Sequence, residues 1–395
     1  METNWKKNTA LFITGQALSS FGTMVVQYAI LWHITLTTQS GTMMTFFTIA
    51  LFFPMFFISP FAGVWADRYN RKYLINIADG AVAFASLVVA ILIIMGYTDF
   101  WILLICSLVR SLGHGTQTPA ISALIPQIVP KEHLTRINGI QSSIHSLCNL
   151  GAPLISGLLM SLAPLQMLFF LDVVTAAIGI SILLFLVKVP VVEKAGEQKK
   201  PDYFSELRDG LKYIRQQGYV LRMIILAAIF NFFCAPTSLL TPLQVARKFG
   251  DDVWRLTAIE ITFSAGMIVG GILIGVWGGF KNRIFTIALS CFLLGLVAVG
   301  LGLAPIFWLY IAIMAMAGIA IPLFNTPAVV MLQSKVEPAF MGRVFSVFGM
   351  VSSVIMPAGM LLFGPLADTI SIDYMLIGTG IVMALLAIPF VTSKV

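Results

Sequence analysis

Charge is scarce in this chain. Only 10% of its 395 residues are Asp, Glu, Lys or Arg, against roughly 25% in a typical soluble protein. So few charges cannot coat a soluble globule of this length, and the 58% hydrophobic share calls for lipid around it. Cysteine is scarce as well. Cys106, Cys148, Cys234 and Cys291 each lie inside an apolar run, far from one another. That spread excludes a cysteine metal cluster and reads as helix packing. The sequence holds no cysteine–histidine metal spacing, no nucleophile with a matched base and no glycine-rich phosphate loop. Its polar segments are too short to house a nucleotide-binding domain. Enzyme chemistry, a metal and ATP-driven transport by this chain alone are thereby excluded, and no cofactor is expected. METNWKK runs straight into an apolar stretch with no cleavage site, so the start reads as a spanning helix, not a removable signal.

Long apolar runs are what the chain does have. A bilayer core of about 30 Å takes about 20 apolar residues per helix. Twelve spans are predicted, near 9–33, 42–66, 73–95, 101–127, 137–162, 166–188, 221–246, 256–278, 284–303, 306–332, 344–369 and 373–392. The polar break at 189–220 carries both charge signs, and Tyr203 to Ile214 has the apolar spacing of an amphipathic helix on the membrane surface. The expected architecture is an all-α membrane protein: a six-helix bundle over 1–188, a cytoplasmic linker over 189–220 and a second six-helix bundle over 221–395. With the N-terminus inside, 20 of the 24 Lys and Arg residues fall on the cytoplasmic side. Arg247, Lys248 and Arg255 fall opposite, and Arg110 lies within a span. Positively charged loops stay cytoplasmic, so both termini are placed inside the cell membrane. The net charge of +7 follows from this sorting and implies no nucleic-acid partner.

The halves repeat. GVWADRYNRK, Gly63 to Lys72, has an eroded copy, GVWGGFKNR, 212 positions later at Gly275 to Arg283. Gln117-Thr-Pro-Ala120 is answered by Asn325-Thr-Pro-Ala328, 208 positions on. Two duplicated six-helix units between charged hinges are the mark of a two-halved transporter.

Gly63-x-x-x-Asp67-Arg68-x-x-Arg71-Lys72 resembles the signature of the major facilitator superfamily. Within it the chain is similar to the macrolide-efflux (Mef-type) drug:proton antiporters. The stretches that carry this are Arg110-Ser-Leu-Gly113, Phe170-Leu-Asp172, Glu260-Ile-Thr-Phe-Ser-Ala-Gly-Met267, and Gly342-Arg-Val-Phe-Ser346 through Pro357 to Asp368. The resemblance implies two bundles that rock around a central cavity. It also implies a conformational switch at Gly63, Asp67, Arg68, Arg71 and Lys72, with Asp67 meeting the region of Arg343.

Polar residues inside spans are costly unless they face protein or water, so their spacing marks lining faces. Gln16, Ser20, Thr23 and Gln27 fall on one face of the first span. Asn138, Ser142, His145 and Asn149 do so in the fifth, Arg110, His114 and Gln117 in the fourth, and Asn231, Ser238 and Thr241 in the seventh. Arg110 sits about 13 Å into its helix at 1.5 Å per residue and must be paired or hydrated there, since a guanidinium keeps its proton. Glu260 and Asp172 are the acids within spans; desolvation favours the neutral carboxyl and brings it into proton-exchanging range. Asp79 and Asp368 read as interfacial, near helix ends. The expected function is a proton-driven secondary exporter of an amphipathic drug-like compound, monomeric, in contact with membrane lipids. The alternatives are a siderophore or metabolite exporter, or an uptake carrier.

Overall fold

The computed structural model describes residues 5–189, 203–337 and 340–392. Among them no strand occurs, and the reason is solvent. Lipid offers no hydrogen-bond partner, so each backbone group must be satisfied inside its own segment.

The helices are α1 (Trp5–Thr38), α2 (Gly41–Arg68), α3 (Arg71–Ile94), α4 (Phe100–Ile128), α5 (Leu134–Leu162) and α6 (Leu165–Ser181). They continue with α7 (Tyr203–Gln216), α8 (Gly218–Leu239), α9 (Thr241–Phe249), α10 (Val253–Trp277), α11 (Arg283–Leu303), α12 (Phe307–Lys335), α13 (Met341–Leu366) and α14 (Ile372–Thr392). A π-helical turn, Ile182–Leu186, prolongs α6. Among the described residues ten segments are long and apolar enough to cross a membrane, with α8 and α9 counted as one. To these are added α14 and α4, whose hydropathy is diluted by Arg110, His114 and Gln117. That makes twelve crossings among the described residues.

Several spans carry proline in their interior, and α2 shows how it is accommodated. Pro54 interrupts its ladder. The Ser111 hydroxyl of α4 inserts there, donating to the Leu51 carbonyl at 2.5 Å and accepting from the Met55 N–H at 3.0 Å. A neighbouring helix thus re-satisfies what the proline ring opened.

The chain forms two compact units: 1–34 with 46–199, and 35–45 with 200–395. In the first, α3 packs on α4 and α6; in the second, α11 packs on α12 and α14. The duplicated halves therefore use corresponding helices. The second unit also relies on backbone-close crossings. A Cβ on Gly318 of α12 would lie 2.1 Å from the Phe263 carbonyl oxygen and 2.9 Å from the Gly266 Cα of α10. Membrane helices lack a hydrophobic drive to associate, and small residues let dispersion act at short range instead.

The amphipathic helix predicted over Tyr203–Ile214 is present as α7. Its Tyr213 and Ile214 are buried in the apolar core of the second unit. Tyr213 stacks on Phe340 with centroids 4.4 Å apart, and its hydroxyl accepts the Glu337 N–H at 3.2 Å. This stretch of its apolar side is covered by protein.

Candidate functional site

A polar core runs through the first unit in two tiers. In the first tier Arg110 of α4 and Asp172 of α6 are both buried and paired at 2.5 Å. Asp172 also accepts from the Ser86 hydroxyl of α3 at 2.7 Å and the Thr23 hydroxyl of α1 at 3.0 Å. Arg110 donates to the Thr23 carbonyl at 2.6 Å. Four helices meet on this one ion pair, and the two residues that the sequence singled out separately prove to be partners. With three further polar atoms satisfying it, the Ser86 and Thr23 hydroxyls and the Thr23 carbonyl, the pair meets the condition for tolerating buried charge.

Two turns along α3 lies the second tier. Asp79 is 6% exposed, the ninth residue of its helix, so the interfacial position expected for it is corrected: the helix begins at Arg71 and carries Asp79 into the bundle. Its Oδ1 accepts from Gln117 Nε2 at 2.8 Å and the Ser19 hydroxyl at 3.2 Å. Gln117 Nε2 donates also to Gln16 Oε1 at 3.1 Å. Gln16, Thr23, Arg110 and Gln117, predicted as lining stripes, thus close on one another inside the unit. Ser19, Ser86 and Asp79 were missed. The polar spacing Asn76, Asp79, Ser86 within an apolar run was the signal.

The other predicted residues stand apart from this core. His114 is exposed and bonds Thr118 one turn on at 3.1 Å. On α5, Asn138, Ser142, His145 and Asn149 are all exposed on one face, with His145 and Asn149 2.9 Å apart. An exposed polar face is one that lipid disfavours and water accepts. Asn231 turns back to the Ala227 carbonyl at 2.8 Å. Gln27 and Glu260 are half-buried, and neither makes a hydrogen bond or ion pair among the described residues.

At the hinge, Arg71 donates to the Ala66 carbonyl at 2.8 Å and the Ala123 carbonyl at 2.7 Å, and Lys72 reaches the Val187 carbonyl at 2.8 Å. The Ala66 and Val187 oxygens sit at the C-terminal ends of α2 and the α6 extension, where orphan carbonyls and the helix dipole favour cations, and Ala123 lies within two turns of the end of α4. Arg71 and Lys72 therefore bind their own unit's helix ends. Asp67 pairs with Arg71 at 3.6 Å and is 70% exposed. Arg68 is exposed, and a Cβ at Gly63 would meet nothing within 4 Å. Arg343 faces Asp209 of α7 at 3.8 Å.

In the second unit, Asp368 follows the end of α13 and caps the start of α2. Its Oδ1 accepts from the Gly41 N–H at 2.7 Å, and its Oδ2 from the Thr42 N–H at 2.9 Å, the Thr42 hydroxyl at 2.6 Å and the Ser40 hydroxyl at 2.9 Å. Arg247 of α9 adds an ion pair at 3.0 Å and also holds the Gln39 carbonyl, turned toward it by a left-handed backbone at φ 45°. Partial burial pushes the Asp368 carboxyl up, but the hydrogen bonds from Thr42, Gly41 and Ser40 outweigh it and hold the group well below the usual carboxylate range. A depressed folded pKa gives stability that is present above the unfolded value of about 3.9 and lost as pH falls below it. Asp368→Asn should therefore lower the melting temperature at neutral pH, with the gap from the parent closing below about pH 4. A constant gap across a pH series would refute the assignment.

The profile of the Major Facilitator Superfamily matches residues 12–360. Macrolide efflux protein A of Streptococcus pyogenes is 29% identical over 394 residues, covering 99% of this chain and 97% of that protein. The protein of the same name from Enterococcus faecalis is 30% identical over 311 residues, 78% of this chain and 96% of its own. Among solved structures, the nucleoside transporter NupG superposes with a TM-score of 0.70 at 14% identity, covering 98% of each chain, a likeness of fold alone. A twelve-crossing helical chain with a duplicated charged hinge, matched over this length, is a multi-pass membrane transporter, and it belongs to the Major Facilitator Superfamily.

Proposed function

We propose that this protein is a secondary exporter of macrolides or similarly bulky amphipathic compounds, driven by proton antiport across the cell membrane with both termini cytoplasmic. The observation that carries the substrate class is the full-length similarity to macrolide efflux protein A. The exposed polar face of α5 offers a hydrated path through an otherwise apolar segment. Glu260 supports proton coupling. A half-buried carboxyl on a crossing helix, with no partner among the described residues, has no structural bond to give up when it gains or loses a proton. The hinge residues Gly63, Asp67, Arg68, Arg71 and Lys72 would act as the switch between access states.

The test is expression in a bacterial strain stripped of its own pumps, followed by transport in proteoliposomes with and without an imposed pH gradient. The parent chain should lower erythromycin accumulation in cells and move it uphill only with the gradient. Glu260→Gln fixes the neutral form. It should lose uphill transport while retaining downhill exchange. Erythromycin handled identically with and without the chain would sink the substrate class. A Glu260→Gln variant that still concentrates it would remove Glu260 from the coupling step.

A further inference from the structure

The second-tier carboxyl has an arrangement the ion pair above it does not need. Asp79 is buried, yet among the described residues no cation pairs with it. From α1 it meets Ser19 and from α4 Gln117, whose amide also donates to Gln16, and none of them is charged. The charged group that acts on it is Asp172 of α6, itself paired with Arg110 of α4. Both hydrogen bonds to Asp79 fall on Oδ1. Its Oδ2 is buried without a partner among the described residues, as are Gln16 Nε2 and both amide atoms of Asn76, one turn earlier on α3.

An ionised carboxylate spreads its charge over two oxygens, and a bare buried one is costly. A neutral acid is asymmetric: one carbonyl oxygen that accepts and one hydroxyl. The asymmetry seen here, two donors on Oδ1 and none on Oδ2, is that of the acid. A metal ion fits less well, since a hard cation needs several oxygen ligands. The groups turned to Asp79 are an amide N–H and a hydroxyl that already donates.

We propose that Asp79, held by Ser19 and Gln117 with Gln16 behind them, is a proton-binding site of the first unit. The proton resides on Oδ2 when the site is dry. When water enters, the Oδ2–H bond breaks, the proton passes to water, and the carboxylate stays fixed at Oδ1 by its two donors. This deepens the exporter reading and rests on it for its place in transport; the protonation itself does not depend on substrate.

Two measurements test it. Infrared spectra of the full chain in lipid vesicles should show a carboxylic-acid band at neutral pH. Selective carbon-13 labelling of aspartate should shift that band, which separates it from Glu260. Asp79→Asn, which preserves the acceptor at Oδ1 and fixes the neutral form, should abolish the band and also pH-gradient-driven erythromycin uptake into inverted vesicles, while leaving downhill exchange. Should the variant fail to fold, the labelled parent decides alone. A band that labelled aspartate does not shift, or a folded Asp79→Asn chain that couples like the parent, would overturn this site and leave the exporter reading standing. A parent chain that shows the band but ignores the pH gradient would overturn the exporter reading and the transport role of Asp79 with it. A sodium gradient that drives uptake in place of the proton gradient would overturn both as well.

Discussion

Arg110→Ala should cost about 3–5 kcal/mol of stability, the usual penalty for leaving one half of a buried ion pair uncompensated. Asp172 is fully buried and would keep only its bonds from Thr23 and Ser86. Asp172→Ala should cost as much, since the guanidinium cannot shed its charge. The informative variant is the double one. Replacing a buried pair by apolar residues of similar volume is often neutral or better, so Arg110→Met with Asp172→Leu should recover most of the loss in melting temperature. If transport also returns, the pair is a structural joint between α1, α3, α4 and α6. If stability returns and transport does not, the charges serve the cycle as well. A double variant as unstable as either single would mean that the pair is not what holds these helices.

Gly318→Val should be comparably damaging for the opposite reason, crowding where there was no side chain. Its Cβ would sit 2.1 Å from a backbone oxygen of α10 and 2.9 Å from the Gly266 Cα, and neither atom can swing aside. Overpacking typically costs about 1–3 kcal/mol. A clash with backbone belongs at the top of that range or above it, because the whole α10–α12 crossing must open. The control is on the same face-to-face pair of helices. Gly271 of α10 has open space at its Cβ, so Gly271→Ala should gain about 0.5–1 kcal/mol from reduced unfolded-state freedom and better helix propensity. Thermal unfolding in detergent reads both. Equal effects at the two positions would show that close approach is irrelevant.

These two positions are related. Gly318 stands 208 positions after Arg110, the same interval that separates the Thr-Pro-Ala repeats of α4 and α12. At these corresponding positions the first unit ties its helices with a charge and the second brings them together by having no side chain.

The spans were readable because apolar length is a one-dimensional property, and so was the hinge. Arg110 stood out by depth alone. Its partner did not, because nothing along the chain says that α4 and α6, 62 residues apart at the pair, face each other. Asp79 was misplaced for a local reason. The predicted start at 73 discounted Arg71 and Lys72 as loop, whereas both tuck into helix-end carbonyls and allow α3 to begin there. The apolar edge of α7 looked suited to lipid. It meets Phe340 and its neighbours, a distinction invisible in a hydropathy pattern. Glu260 was legible as an acid in a span, and its lack of partners among the described residues only in three dimensions.

The cap that Asp368 places on α2 has a consequence for the order in which the protein can be made. Ser40, Gly41 and Thr42 leave the ribosome 326–328 residues ahead of the carboxylate that satisfies them. At about 5–20 residues per second that is an interval of roughly 16–65 s. Throughout it the opening turn of α2 has no anion on its N–H groups, although the rest of the helix is already synthesised. Residues 35–45 belong to the second unit while being encoded inside the first. A C-terminal half produced on its own from residue 200 would therefore lack a corner of its own structure, and the completion of α2 is among the last events of biosynthesis.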